Sequence, residues 1–592
     1  MKIKIKTATR AVRTGKTRFS SIKHLIHSDS ISDKTLPKVL DHLDYYNGTV
    51  YDAVERSARL YPDNMAYEFL GNKVSYNEFI GQIDLCAKAL KAEGLKEKEV
   101  VTIALPNCPQ ALCIFYAASR IGAVASVIHP LSSEREIEHC LNVTKSVMIV
   151  TLNQFYDKFE NVFGRTPTRK IIFTGIDDGL GFFKSIGYKF YVNPKSPKIP
   201  KSGVEISWNA FMKSGKIYEG EYIGHAKSED PAAILFSGGT SGTTKGVVIT
   251  NYSFNAFGAQ IINSTPSCTP GDIFLAAMPL FHGFGLGVCV HSMLFAGSGC
   301  ILIPKFTPKN YLKLISTSKC QFFAGVPTLF EAILRVKSDT ELDFSHLKGV
   351  FSGGDSLPYD LKVRFDEFLK ENNASVQIRE GYGATETLAA CCLTPFTGGP
   401  KGSIGLPFAD TSFKIVEPET DKELPAGETG EIIISGPSVM KEYIGNPEET
   451  EKTLKTHSDG KKWLYTGDLG YRDEDGYIYF CGRAKRMIIA SGYNVYPNQI
   501  ESVLCENSMI DKCCVIGVSD KYRIQKIKAF IVLTPDTPKN EATKKQIMDY
   551  CFNNIARYAK PNEIEFRDEL PVTKLGKIDF KALEKEEEEK QQ

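Results

Sequence analysis

The chain holds 592 residues, more than one hydrophobic core sustains, so two or more domains are expected. It is 42% hydrophobic and 24% charged, an ordinary globular balance that sets aside fibrous and disordered classes. A net charge of +2 gives no overall drive towards nucleic acid or an anionic membrane.

The first stretch, "MKIKIKTATRAVRTGKTRFSSIKHLIHS", is rich in lysine and arginine and has no acid before Asp29. It lacks the apolar centre of a secretory signal. It reads as a basic arm, residues 1–40, that touches solvent or a membrane surface; a mitochondrial address is the alternative. "ALCIFYAASRIGAVASVIHPL", residues 111–131, is the most apolar region, but Ser119, Arg120 and His129 interrupt it. It predicts a core helix followed by a strand rather than a membrane span. Residues 182–203 mix aromatics with lysines and then turn Pro/Lys-rich. They read as a surface excursion, or as a patch that meets lipid. Strands and helices alternate through the first two-thirds, which predicts α/β architecture. The 15 cysteines form no C-x-x-C pair and no Cys/His cluster of zinc spacing, so they read as buried thiols of the cytoplasm.

At residues 237–245 the chain reads "SGGTSGTTK", between the apolar runs "AAILF" and "VVI". This predicts a strand, a loop and a second strand. Glycines permit close approach, and free N–H groups, hydroxyls and one ammonium suit a polyphosphate. The phosphate loop of nucleoside triphosphatases does not fit, because Thr244 precedes Lys245 and Gly246 follows it. Taken alone, the stretch is a phosphate loop or a plain flexible one.

Near "CGRAKRMIIASGYNVYP", residues 481–497, the character changes. "CCVIGV" and "KAFIVL" predict strands, and residues 541–558 predict a helix. Together they make a small α+β domain. The closing "EKEEEEKQQ" reads as a solvated helix end or a disordered tail.

Three further stretches join the loop: "GYGATET" at 381–387, "YTGDLGYRDEDGYIYFCGRAK" at 465–485 and "LPVTKLGKIDF" at 570–580. In their order and spacing the four motifs resemble the adenylate-forming superfamily of acyl-CoA synthetases, adenylation domains and beetle luciferases. The resemblance covers roughly residues 41–583. It implies a large N-terminal domain, residues 41–484, that binds ATP and the acid, and a small mobile C-terminal domain, residues 485–592. It also implies the reaction. A carboxylate attacks the α-phosphorus of ATP to give an acyl-adenylate and pyrophosphate, and a thiol then takes the acyl group. The carboxylate is already ionised at pH 7, so the first step needs positioning and charge neutralisation rather than a general base.

Site residues follow from the same resemblance. Ser237, Gly238, Gly239, Thr240, Ser241, Gly242, Thr243 and Lys245 would hold the β- and γ-phosphates. Tyr382 would flank the adenine, with Gly353 and Gly354 of "SGGDSLP" allowing close approach. Thr385 would contact the α-phosphate and Glu386 would hold Mg²⁺, a hard cation that prefers carboxylate and phosphate oxygens. Asp468 would accept the ribose hydroxyls, with Arg483 beside it, and Lys577 would bridge the carboxylate and the α-phosphate. His282, Phe281, Phe284, Val326, Leu329 and Ala384 would line the acyl or CoA channel. Lys485 stands at the hinge position, and Gly492 would swing in to line the thiol channel.

Two departures from the superfamily pattern stand out. Thr244 replaces the usual proline, and residues 519–530 lack a common Gly-Glu pair. Around "FHGFGLG" no acid is present to hold an amine, which favours a neutral tail: a medium- or long-chain fatty acid, with CoA as acceptor. The alternatives are loading of an acyl or aryl acid onto a carrier protein, luciferase-like oxidation, and a decayed enzyme that only binds. The intact set of Lys245, Glu386, Asp468, Arg483 and Lys577 speaks against the last.

Overall fold

The computed structural model describes residues 39–180, 203–237, 244–338, 341–490, 493–520, 524–556, 559–573 and 577–591. The basic arm to residue 38 and nearly all of the 182–203 patch lie outside the described residues. Leu40, the last residue of the expected arm, hydrogen-bonds Asn263 of the main body.

Two large sheets share one apolar core. In the 8-stranded sheet, Val100–Ala104, Val124–Val127 and Met148–Leu152 are buried at every residue. They run parallel, as strands covered on both faces do. The helix and strand expected at 111–131 are Pro109–Arg120 and Val124–Val127. "AAILF" and "VVI" form Pro231–Ser237 and Lys245–Thr250, antiparallel, with Ser237 directly opposite Lys245.

The 14-stranded sheet is parallel through Phe322–Gly325, Gly349–Ser352 and Ile378–Tyr382, then antiparallel through Ser403–Pro407, Ile478–Arg483 and Lys462–Arg472. The segments "SGGD", "GYGATE" and "TGD" therefore lie at strand ends or along strands of one sheet.

The C-terminal part has its own 5-stranded sheet and its own apolar clusters. The expected strands are Ile510–Asp520 and Ile524–Leu533, paired antiparallel. The expected helix is Glu541–Asn554, shorter than the 541–558 read from sequence; paired asparagines end it, and Ile555 is extended. The α/β body with a smaller α+β part is thus observed.

The acidic end takes the helical of its two expected forms, with one face docked and the other solvated. It is a helix, Phe580–Gln591, that docks on the small sheet through Leu583, 0% exposed, and Glu587, 6% exposed. Lys528, 3% exposed, reaches Glu563, Glu565 and Glu587 at 2.8 Å each. The sequence showed a charge run; the buried lysine that fixes it lies 59 residues away.

Among the described residues no helix is long and apolar enough to cross a membrane. All 15 cysteines are free thiols.

Lys528 pairs with three carboxylates that keep second cations in Lys526, Arg567 and Lys590, so Lys528→Met should destabilise the small domain by roughly 1–3 kcal/mol, the cost of leaving buried Glu587 under-compensated. Urea unfolding of the full chain checks this, and an unchanged profile refutes it. The two lysines beside Glu563 lower its carboxyl from 4.5 to about 2. A depressed carboxyl stabilises the fold above its unfolded value. Stability should therefore fall between about pH 4.5 and 2.

Candidate active site

The motifs meet around one cavity of about 1160 Å³. Its walls include Ser237, Lys245, Gly353, Gly354, Thr385, Glu386, Asp468, Arg483 and Lys577. Gly238, Gly239, Thr240, Ser241, Gly242 and Thr243 lie outside the described residues, as does Gly492.

Asp468 sits on strand Lys462–Arg472, 6% exposed, and is paired across the sheet with Arg483. Its Oδ2 accepts from the Tyr382 hydroxyl at 2.7 Å, and its Oδ1 lies 3.4 Å from Arg483 Nε. That Oδ1 is buried without a hydrogen bond. A buried orphan acceptor costs about 1–3 kcal/mol, so it is built to receive a donor. Burial pushes the Asp468 carboxyl up, while Arg483, Tyr382 and Lys577 pull it down. Tyr382 itself is spent on Asp468 and does not line the cavity.

Lys577 enters from the C-terminal part. Its carbonyl accepts from Thr573 N at 2.7 Å, and an isolated bridge joins Val572 to Ile578. Burial, helped by Arg483, lowers its ammonium from 10.5, against the pull of Asp355 and Asp468. Burial, with Lys577 adding, brings the His282 imidazole down to about 4, so it is neutral at pH 7. Its Nδ1 accepts from Phe284 N at 3.2 Å.

Lys245 Nζ is paired with Glu449 and stands 5.0 Å from the Tyr443 ring centre. The Tyr443 hydroxyl donates to Glu386 Oε1 at 2.7 Å. Glu449 lies in the first turn of helix Pro447–Thr453, begun by an Asn446 cap. Sequence reading missed Tyr443 and Glu449. "EYIGNPEET" reads as a helix start, and nothing in it signals a partner for a lysine 204 residues away.

The loop that carries Thr385 and Glu386 leans on Gly283. A Cβ there would stand 1.4 Å from the Leu388 carbonyl oxygen, and Leu388 itself is left-handed at φ +64°. Only glycine lets the "FHGFG" segment and the "GATET" loop pack so closely. Phe284 then opens a π-helical turn, Phe284–His291, a wide winding common at functional sites.

Phe281, His282, Phe284 and Ala384 line the cavity as expected, with Ile261, Thr265, Val288, Leu393 and Phe408 in addition. Those five were missed because their segments read only as ordinary core. Val326 and Leu329 are not among the walls. Val326 caps helix Pro327–Leu334 and stands behind Gly354, while Leu329 is buried at 5% exposure. Lys485 lines the mouth in the short turn Ala484–Arg486.

Among the described residues no cluster of three or more His, Cys, Asp or Glu stands ready for a metal. Glu386 on the cavity wall fits a cation that takes one or two carboxylates and completes its shell with other oxygens.

The AMP-binding enzyme family matches residues 54–444, and the AMP-binding enzyme C-terminal domain matches residues 499–577. The long-chain-fatty-acid–CoA ligase of Bacillus subtilis is 32% identical over 561 residues, covering 92% of this chain and 95% of the relative. A probable 4-coumarate–CoA ligase of Dictyostelium discoideum is 31% identical, covering 85% and 88%. ATP-bound MatB from Rhodopseudomonas palustris superposes with a TM-score of 0.78 at 26% identity, over 91% of this chain and 99% of that one. An anthranilate CoA ligase in complex with anthranoyl-AMP gives 0.78 at 26%, over 93% and 99%. With Lys245, the buried Asp468 and the incoming Lys577 around one cavity, the chain belongs to the AMP-binding enzyme family and groups with the AMP-forming acid–CoA ligases, which use ATP and CoA.

Proposed function

We propose that this enzyme activates a medium- or long-chain fatty acid. The observation that carries the reading is the apolar part of the cavity wall: Ile261, Phe281, Phe284, Val288, Leu393 and Phe408. Such a wall rewards an uncharged tail by about 0.8 kcal/mol for each buried methylene. The B. subtilis relative, named for long-chain fatty acids, supports it.

The proposed sequence has two steps. A carboxylate oxygen bonds to the α-phosphorus of ATP, and the bond from that phosphorus to the bridging oxygen of pyrophosphate breaks. The sulfur of CoA then bonds to the acyl carbon, and AMP departs with the electron pair of the broken carbon–oxygen bond. Lys577 holds the two anions of the first step together, Thr385 contacts the α-phosphate, and Lys245 takes the outer phosphates. Asp468, through its Oδ1, which accepts no hydrogen bond, and Arg483 hold the ribose. Neutral His282 lines the channel without adding charge. Glu386 would hold Mg²⁺, which supplies further charge neutralisation on the phosphates. Lys485 is the hinge by which the small domain, 485–592, withdraws Lys577 before the thiol enters.

The testing experiment is pyrophosphate release with ATP and Mg²⁺ across straight-chain acids from acetate to stearate, with and without CoA. Release that peaks at one chain length, with acyl-CoA formed only with CoA, is expected. Release with aryl acids alone refutes the fatty-acid reading, and release without CoA turnover favours a carrier protein.

Two consequences concern Lys577. Lys577→Ala should slow adenylation by roughly 100-fold or more, the scale of losing one group on developing charge. Thiolysis of supplied acyl-adenylate should be unaffected, and equal loss of both half-reactions refutes the assignment. Adenylation needs Lys577 protonated, and its lowered value brings the alkaline decline below pH 10.5. In Lys577→Arg, a guanidinium that stays charged, that decline should move to higher pH. An unmoved alkaline limb assigns it to another group.

A further inference from the structure

Residues 40–45 run across the outside of the cavity wall. Leu40 N donates to Asn263 Oδ1 at 3.0 Å, and Asn263 Nδ2 donates back to the Leu40 carbonyl at 2.8 Å. Asn263 ends helix Asn251–Asn263, which supplies Ile261, and the turn after it supplies Thr265.

The other anchor is Asp410, two residues after the wall residue Phe408. Its Oδ2 accepts from Leu43 N at 3.0 Å and from the Tyr45 hydroxyl at 2.7 Å. Its Oδ1 meets His42 Nδ1 at 2.6 Å, and its own N–H donates to the Asp41 carbonyl at 3.1 Å. Asp410 is left-handed at φ +56°, a backbone that costs energy in most residues but that Asp and Asn tolerate. Tyr45 also donates to the Ala409 carbonyl at 3.2 Å. Leu43, 2% exposed, fills the space between Ala259 and Ala409.

Gln260 Nε2 already joins the two pieces of wall directly, donating to the Ala409 carbonyl at 2.6 Å and to Thr411 Oγ1 at 3.0 Å, and the segment adds a second tie between Ile261 and Phe408, 147 residues apart. We propose that residues 40–45 form a clamp that fixes the far wall of the acyl pocket and so sets the chain length accepted, with Asp410 and Asn263 as positioning residues. The proposal rests on the fatty-acid reading above. A wall held rigidly rejects a tail one methylene too long, because packed side chains give way only at a cost. A wall freed from its tie yields, and discrimination falls.

Two variants of the full-length enzyme test it. Asp410→Asn keeps a residue that tolerates the left-handed backbone but loses acceptor strength for three donors. Tyr45→Phe removes one hydroxyl and keeps the ring. For each, kcat/KM is measured for saturated acids from octanoate to stearate, with the KM for ATP alongside. The preference for the best acid over the next longer one should fall roughly ten-fold in Asp410→Asn, the scale of one methylene's fit. Tyr45→Phe should show a smaller fall in the same direction, with the KM for ATP unchanged in both. A loss uniform across all lengths marks a merely structural segment and overturns the clamp. An unchanged profile overturns it too, and either outcome leaves the fatty-acid reading standing. If the unaltered enzyme turns over no straight-chain acid, the reading and the clamp fall together. Should Asp410→Asn give no soluble protein, Tyr45→Phe decides alone.

Discussion

A buried carboxylate governs this active site. Asp468 is withdrawn from water on strand Lys462–Arg472 of the long sheet, and a charge so placed demands compensation. Arg483 supplies it from the neighbouring strand, Tyr382 from the strand that begins "GYGATE", and Lys577 from the C-terminal part. Each partner belongs to a different motif. The carboxylate therefore joins residues of three motifs, and its Oδ1 accepts no hydrogen bond.

The phosphate side obeys the same rule of charge balance. Lys245 has Glu449 and the Tyr443 ring as companions, and Tyr443 in turn donates to Glu386. One tyrosine thus stands beside both Lys245 and the proposed metal carboxylate, Glu386. A polyphosphate with its cation would exchange these contacts for stronger ones of the same sign: lysine to phosphate, carboxylate to metal. Glu449 holds the lysine in place, and a more highly charged anion would take the lysine over.

Much of this was legible in the sequence where the chemistry is local. Hydroxyls, glycines and a lysine between apolar runs marked two strands and the loop between them, and the strands are there with Ser237 facing Lys245. The order of four motifs indicated the family. What stayed hidden depends on distance along the chain. Glu449 and Tyr443 lie about two hundred residues from Lys245, in a segment that reads as a plain helix start. Thr265 and Phe408 read as core because a cavity wall and a core wall have the same composition. The acidic end read as solvated because its compensating charge, Lys528, sits on a strand whose own sequence gives no sign of it.

The hinge proposed at Lys485 gains a physical outline from its neighbours. Arg483, just before it, is paired with Asp468 of the large body. Arg486, just after it, is paired with Glu501 at 2.6 Å, donates to the Val515 carbonyl at 3.2 Å, and stands 4.6 Å from the Phe580 ring centre. Chain tied to one body through Arg483 gives way within three residues to chain tied to the other through Arg486. A rotation confined to those residues would carry Phe580, three residues beyond Lys577, with the small body. The clustered carboxylates around Lys528 hold the helix that starts at Phe580 to the same sheet. Lys577 would then leave the cavity with a rigid body rather than as a loose loop. On the proposed mechanism, one site would in this way admit a lysine for the first reaction and a thiol for the second.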